Sequence, residues 1–247
     1  MMKTLSIIVT TLNSNNTIQR FLKSIANQDT SNFSLIIVDG GSTDGTIEAI
    51  KKFQIPISFI LKPGVSIYGG INYALEACKS NYYLVCGSDD ELNSKAISAI
   101  LHDINQFPDY DLYLYSVIKG NSVYEPRRPS KIRKRLGWQT IISSHSVGTV
   151  IKTVLHQEFN FYSLDFPILA DGYFFSKIFK RNKKVYVSNK TIGMFSLEGL
   201  SNKNYYNNIF TTFLIQIESY SFLPQLILLI FRLIKYRGKR IFSNLPK

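Results

Sequence analysis

Over its first 120 residues the chain alternates short apolar runs with helix-periodic segments, joined by brief connections. Leu5 to Thr10, Ser34 to Val38, Ile57 to Leu61, Tyr82 to Cys86 and Leu112 to Ile118 read as strands. The segments between them place Ile18, Phe21, Leu22 and Ile25, then Ile47 and Ile50, then Ile71, Ala74, Leu75 and Cys78, then Ile97, Ile100, Leu101 and Ile104 on single helical faces. Parallel strands need a crossover, usually helical, so repeated units of this length predict an α/β domain. Its sheet is expected to be mostly parallel and Rossmann-like, with helices on both faces. Asn16-Thr17-Ile18-Gln19 has the form of a capping box opening the first helix, and Asp44 the form of an N-cap for the second.

Open sheets of this kind bind ligands beyond the carboxyl ends of their strands. The run Tyr82-Tyr83-Leu84-Val85-Cys86 ends there in Gly87-Ser88-Asp89-Asp90. Two adjacent carboxylates repel unless a cation or hydrogen-bond donors compensate, and their hard oxygens suit Mg²⁺ or Mn²⁺ bridging a diphosphate. Taken alone, such a pair is more often a solvated turn ahead of the helix expected from Ser94 to Phe107 than a metal site.

After residue 120 the pattern loosens. Pro126, Pro129 and six basic residues between Arg127 and Arg135 predict a loop, either beside the ligand crevice or simply solvated. Gly148 to Ile151 reads as a short strand, Leu169 to about Arg181 as a helix, and Lys184 to Val187 as a final strand. From Phe222 a helix is expected that sets Arg232, Lys235 and Lys239 on one stripe and Leu226, Ile227, Ile230, Leu233 and Ile234 on another. It is too short and too charged to span a bilayer, and a basic amphipathic helix suits the headgroup layer of an anionic membrane. The alternative is a helix docked on the domain's own core, or a dimer contact.

The formal charge of +12 is unevenly spread. Through Asp90 seven Lys/Arg balance seven acids, and the excess falls in Lys119 to Arg135, Lys177 to Lys190 and Arg232 to Lys247. No recognition-helix, zinc-finger or RNP-like pattern accompanies these clusters, so nucleic acid is not the expected partner. Cys78 and Cys86 lack metal-ligand spacing and read as reduced core thiols. The opening Met1 to Val9 reads as a first strand rather than a signal peptide, from which a cytoplasmic location follows.

The order of these pieces resembles the inverting family 2 glycosyltransferases of the GT-A fold, which include polysaccharide and O-antigen sugar transferases. Five segments carry the likeness, Ser6 to Asn13, Asp39 to Thr46, Gly64 to Leu75, Gly87 to Asp90, and Ala170 to Phe174, within a match over about residues 4 to 202. Three positions depart from the family pattern, with Gly40 where relatives carry a second acidic residue, Gly69 where they often have Asp, and Gly87 where they have Asp or Asn.

The resemblance implies a UDP-sugar or related nucleotide-diphosphate sugar donor and a glycan or polyprenyl-diphosphate-linked acceptor. It places Thr10, Leu12, Asn13, Asp39, Tyr68, Asn72, Ser88 and Asp89 along the donor nucleotide, a divalent cation (Mn²⁺ or Mg²⁺) on Asp89 and Asp90, and His145 over the acceptor. Asp171 becomes the catalytic base, its carboxylate near a helix N-terminus, and Glu198-Gly199-Leu200-Ser201 a segment closing over the donor phosphates. The expected organisation is a transferase domain over residues 1–205, with a nucleotide-sugar half to residue 118 and an acceptor half beyond it. Residues 206–247 form a basic helical tail on the inner face of the cell membrane. A catalytically degenerate domain that binds nucleotide-sugar or glycan without turnover is the alternative.

Overall fold

The computed structural model describes residues 3–29, 31–142, 146–196 and 205–243. His145 and the Glu198 to Ser201 segment lie outside the described residues. In chain order the elements are β1 (Leu5–Thr11), α1 (Asn15–Ala26), β2 (Phe33–Asp39), α2 (Thr46–Lys51), β3 (Ile57–Leu61), α3 (Ile67–Ala77), β4 (Tyr82–Gly87), β5 (Glu91–Leu92), α4 (Ala96–Gln106), β6 (Leu112–Lys119) and β7 (Ser122–Tyr124). There follow α5 (Lys131–Leu136), 3-10 turns at Trp138–Thr140 and Ser146–Gly148, β8 (Thr149–Lys152), α6 (Leu155–Phe159), α7 (Ala170–Lys180), β9 (Val185–Met194), α8 (Tyr205–Ser219) and α9 (Phe222–Ser243).

The strands form one sheet in the order β3-β2-β1-β4-β8-β6-β9-β5, with β7 paired to β6. β3, β2, β1 and β4 are mutually parallel, and β8 enters antiparallel between β4 and β6. β6 and β9 therefore run in the direction of β4, while β8, β7 and β5 oppose them. The expected mostly parallel α/β sheet is present, extended by antiparallel strands in the second half. A register shift between Leu114 and Ser116 lets β9 bend along β6 and reach β5.

Period-2 alternation in the buried strands divides the core. Ile7, Val9, Leu35, Ile37, Leu84 and Cys86 pack with Ile18, Phe21, Leu22 and Ile25 of α1 and Ile97, Ile100 and Ile104 of α4. On the opposite face Ile8, Ile36, Val38, Tyr83, Leu112 and Leu114 meet Ile71, Ala74 and Leu75 of α3 and Phe174, Phe175 and Ile178 of α7. Full burial of one such side chain stabilises the fold by roughly 1.5–3 kcal/mol.

Three helix starts differ from expectation. α1 begins at Asn15, where the Ser14 carbonyl accepts from the Thr17 and Ile18 N–H groups, so the capping box at Asn16 does not form. α2 begins after Gly45, and Asp44 instead accepts from the Thr46 N–H and from the Asn15 N–H of α1. α4 begins at Ala96 rather than near Ser94, because Glu91 and Leu92 pair with β9 as a short strand. The expected helical tail is present as two helices, α9 starting at Phe222 as anticipated, and α8 lies against the domain through buried Ile209, Thr212, Ile215 and Gln216.

Candidate active site

β1 has β2 on one side and β4 on the other, although α1, α2 and α3 leave the same rim, so a crevice opens where the strand order reverses. Three loops meet there, following β1, β2 and β4. Asn13, in the left-handed region with φ of 50°, donates from its N–H to the Ser42 Oγ at 2.8 Å, and its Oδ1 accepts from the Thr43 N–H at 2.9 Å. The Ser88 hydroxyl donates to the Ser14 Oγ at 2.9 Å, tying the β4 loop to the β1 loop. Leu12 is exposed between them, and Thr10 is half-buried at the end of β1.

Asp39 is fully buried, and its carboxylate braces its own loop. Oδ1 accepts from the Gly41 and Ser42 N–H groups at 2.8 and 2.7 Å, and Oδ2 accepts from the Ser42 hydroxyl at 2.7 Å. Gly41 supplies a φ of +97° that an L side chain would strain. Asp39, expected along the nucleotide, thus shapes the loop after β2 through three donors.

The two carboxylates after β4 part company. Asp90 is 1% exposed; its Oδ2 accepts from the Gly87 N–H at 2.7 Å and its Oδ1 from the Ser196 N–H at 3.3 Å. Burial pushes its carboxyl up to about 7, against those two hydrogen bonds. Asp90, expected with Asp89 to hold a cation, closes the turn through these two hydrogen bonds. Asp89 is half-buried, and no donor among the described residues engages its carboxylate. A Cβ added at Gly87 would stand 2.5 Å from the Asp89 Oδ1, so the missing side chain is what lets Asp89 lie back over the strand end. Arg20 adds a cation that sequence reasoning missed, donating to the Asp89 carbonyl at 3.0 Å and pairing with Glu91 at 2.7 Å.

The described residues hold no cluster of three or more His, Cys, Asp or Glu groups suited to a metal ion. Mg²⁺ and Mn²⁺ bound with nucleotides take one or two carboxylates and complete their shell with phosphate oxygens and water. One free, hard carboxylate at the rim fits that donor set, and Asp89 is the residue that offers it.

On the far side of β1, Asp171 sits in the first turn of α7, one residue inside the helix rather than at its cap. Its Oδ1 accepts from the Tyr68 hydroxyl at 2.8 Å and from the Gly172 N–H at 2.7 Å. Burial raises its carboxyl above the usual range, and the two hydrogen bonds oppose that rise; burial, not the helix terminus, dominates. Tyr68 belongs to the first turn of α3, the helix whose Gly70 stands so close to Thr10 that a Cβ would come within 2.7 Å of the Thr10 Cγ2. The Tyr68 hydroxyl thus anchors Asp171 at the same rim of the sheet that carries Asp89. Tyr68 and Asn72, both expected along the nucleotide, make their hydrogen bonds on this side. The Asn72 amide donates to the Tyr162 carbonyl at 2.8 Å and accepts from the Tyr162 N–H at 3.0 Å, which uses both its ends.

Behind them lies a buried polar chain that sequence reasoning also missed. His156 Nδ1 donates to the Asn160 carbonyl at 3.0 Å, so Nε2 accepts from the Tyr83 hydroxyl at 2.7 Å and Tyr162 donates to the Tyr83 oxygen at 2.6 Å. Burial lowers the His156 pKa to about 4, keeping the ring neutral.

The chain is 40% identical over 109 residues to the teichoic acid poly(glycerol phosphate) polymerase of Staphylococcus epidermidis, across 42% of this chain and 15% of that protein. It is 29% identical over 131 residues to the GalNAc(5)-diNAcBac-PP-undecaprenol beta-1,3-glucosyltransferase of Campylobacter jejuni, across 50% of this chain and 40% of that protein. The chain spans less than half the length of the curated relatives it matches. Among solved structures, S. aureus TarS in complex with UDP-GlcNAc superposes with a TM-score of 0.65 at 20% identity, over 87% of this chain and 66% of that one. The mannosyltransferase PcManGT of Pyrobaculum calidifontis, in complex with GDP-Man and Mn²⁺, gives 0.68 at 14% identity, over 94% of this chain and 69% of that one. At such identities the likeness establishes the fold, which is the expected GT-A arrangement. The model of glycosyl transferase family 2 matches residues 6–159, and the chain belongs to that family.

Proposed function

We propose that this chain transfers a sugar, with inversion, from a nucleotide-diphosphate sugar to a hydroxyl of a glycan or polyprenyl-diphosphate-linked acceptor in surface polysaccharide synthesis. The observation that carries the reading is that one rim of the sheet bears both Asp89, whose carboxylate no donor among the described residues engages, and Asp171, buried and hydrogen-bonded to Tyr68. The donor nucleotide would lie along Thr10, Leu12, Asn13 and Ser88, over the loop that Asp39 braces. A UDP-sugar is the favoured donor, supported by the UDP-GlcNAc complex of TarS, a structure of the same fold.

In this reading Asp171 accepts the proton of the acceptor hydroxyl as its oxygen attacks the anomeric carbon. The new C–O bond forms on the face opposite the bond that breaks, and the electron pair of the old bond departs on the diphosphate. A carboxylate with a raised pKa is a stronger base, while the donors on Oδ1 keep it ionised, and both properties suit the role. Asp89 would hold Mn²⁺ or Mg²⁺, which when bound neutralises the charge developing on the leaving diphosphate. The Mn²⁺ in the PcManGT complex supports a divalent cation in general.

Nucleotide release measured over a panel of UDP-, GDP- and dTDP-sugars, with and without Mn²⁺, tests the proposal. One donor should give metal-dependent release, and Asp89→Ala should lose the metal stimulation. Unchanged stimulation in Asp89→Ala would move the cation elsewhere.

A further inference from the structure

Among the described residues, nothing covers the outer face of the C-terminal helix pair. α8 and α9 are held inward by specific bonds: Gln139 Nε2 donates to the Thr212 Oγ1 at 3.0 Å, Gln225 Nε2 to the Arg135 carbonyl at 3.3 Å, and Arg232 Nη1 to the Gln216 Oε1 at 3.2 Å. With Gln225 and Leu229 buried, α9 turns Leu223, Ile227, Ile230, Phe231 and Ile234 outward. The spacing of these residues follows one helical face, and Leu223, Ile227, Phe231 and Ile234 are each between 60% and 65% exposed. Phe210 and Leu214, one turn apart on α8, are exposed as well. An uninterrupted apolar stripe of this size on a surface marks an interaction site.

Charge identifies the partner. α5 adjoins the foot of α9 through the Arg135 carbonyl, and its six residues include Lys131, Arg133, Lys134 and Arg135 beside an exposed Ile132. The sequence after Glu218 contains six basic residues and no acidic one. A second copy of the chain on this face would bring two such basic sets together, whereas an anionic lipid surface offers both the charge and the apolar depth they match. No helix among the described residues is long and apolar enough to cross a membrane, so the contact lies in the plane of the interface.

We propose that the α8–α9 hairpin seats its outer face in the headgroup layer of an anionic bilayer, with the basic residues of α5 against the lipid phosphates. α8 hangs on α7 by way of the Trp138 turn: a Cβ at Gly172, next to Asp171, would meet the Trp138 ring at 2.4 Å, and one at Gly137 would meet the Gln216 amide at 2.4 Å. The seated hairpin therefore holds the Asp171 side of the crevice toward the lipid, where a lipid-linked acceptor would be presented. The seating itself stands on the hairpin alone; only this orientation rests on the transferase reading.

Co-sedimentation of the full chain with phosphatidylcholine vesicles, with and without phosphatidylglycerol, tests the seating without any turnover. Binding should require phosphatidylglycerol, weaken with salt, and fall at least about tenfold when Ile227, Phe231 and Ile234 are all changed to Asp. In Phe231→Trp, a substitution that keeps the apolar face, emission should shift to the blue on binding and be quenched by bromine-labelled lipid tails. Trp138, the single native tryptophan, gives the background. The proposal is overturned if the native chain stays in the supernatant with phosphatidylglycerol vesicles, or if the emission gained in Phe231→Trp is unmoved by them. A dimer in sedimentation velocity that the triple variant dissolves, with no lipid binding by the native chain, would assign the face to self-association instead.

Discussion

Tyr68 and Asp171 lie 103 positions apart, yet a single 2.8 Å hydrogen bond between them shapes how the carboxylate titrates. The phenol donates to the charged form and so favours it; Tyr68→Phe removes that preference and moves the Asp171 pKa upward. Because a base must be deprotonated to act, the acid limb of the kcat/KM profile should shift to higher pH in Tyr68→Phe. Below that limb activity should fall about tenfold, the worth of one charge-assisted hydrogen bond. An unmoved limb with a uniformly lower rate would make Tyr68 a packing residue. The Asp89-Asp90 motif was legible in the sequence, but the division of labour between its members was not. Adjacent residues on a turn point in different directions, and only the Gly87 N–H and the Ser196 N–H reveal which carboxylate is taken. The same limit applied to Asp39 and Asn72, whose bonding partners are set by loop geometry and by contacts 90 residues away.

At the scale of elements, period and length identified β1 to β4, β6 and α7 within a residue or two, because each buries a strong apolar pattern. β5 and β7 carried no such pattern: one has two residues and the other is exposed along its length. β9 was expected to stop at Val187, yet it continues to Met194, since pairing with β6 and β5 rather than apolar content sustains its second half. Nor does any local signal tell that β8 inserts between β4 and β6, because strand order is decided by long-range packing. The approach of α3 to β1 gives a stability prediction. Gly70→Ala would press a methyl within 2.7 Å of the Thr10 Cγ2, and should cost about 1–3 kcal/mol in urea unfolding. Thr10→Ser lacks that methyl and should recover part of the loss. Equal destabilisation with and without Thr10→Ser would place the strain elsewhere.

For the molecule as a whole, His156 couples stability to acid. Its folded pKa of about 4 lies below the ordinary 6.5, so the unfolded chain binds more protons between those values. The stabilising contribution is fully present above pH 6.5 and is lost as pH falls toward 4, an amount of roughly 3 kcal/mol. Denaturant unfolding across that range should show the decline, and His156→Gln should flatten it; an identical slope in the variant would assign the acid sensitivity to other groups. In the larger organisation the parallel half carries the three linked loops, and the half containing β8, α7 and the helical pair carries Asp171 and the outward apolar face; in the proposed function the first would take the nucleotide. The most direct test of this account is turnover by Asp171→Asn, with donor binding measured by calorimetry on the same protein. Turnover should drop by about 10²- to 10⁴-fold while nucleotide affinity is unchanged. Native-like turnover in Asp171→Asn, or metal-enhanced nucleotide binding by a native chain that turns over no donor, would contradict it.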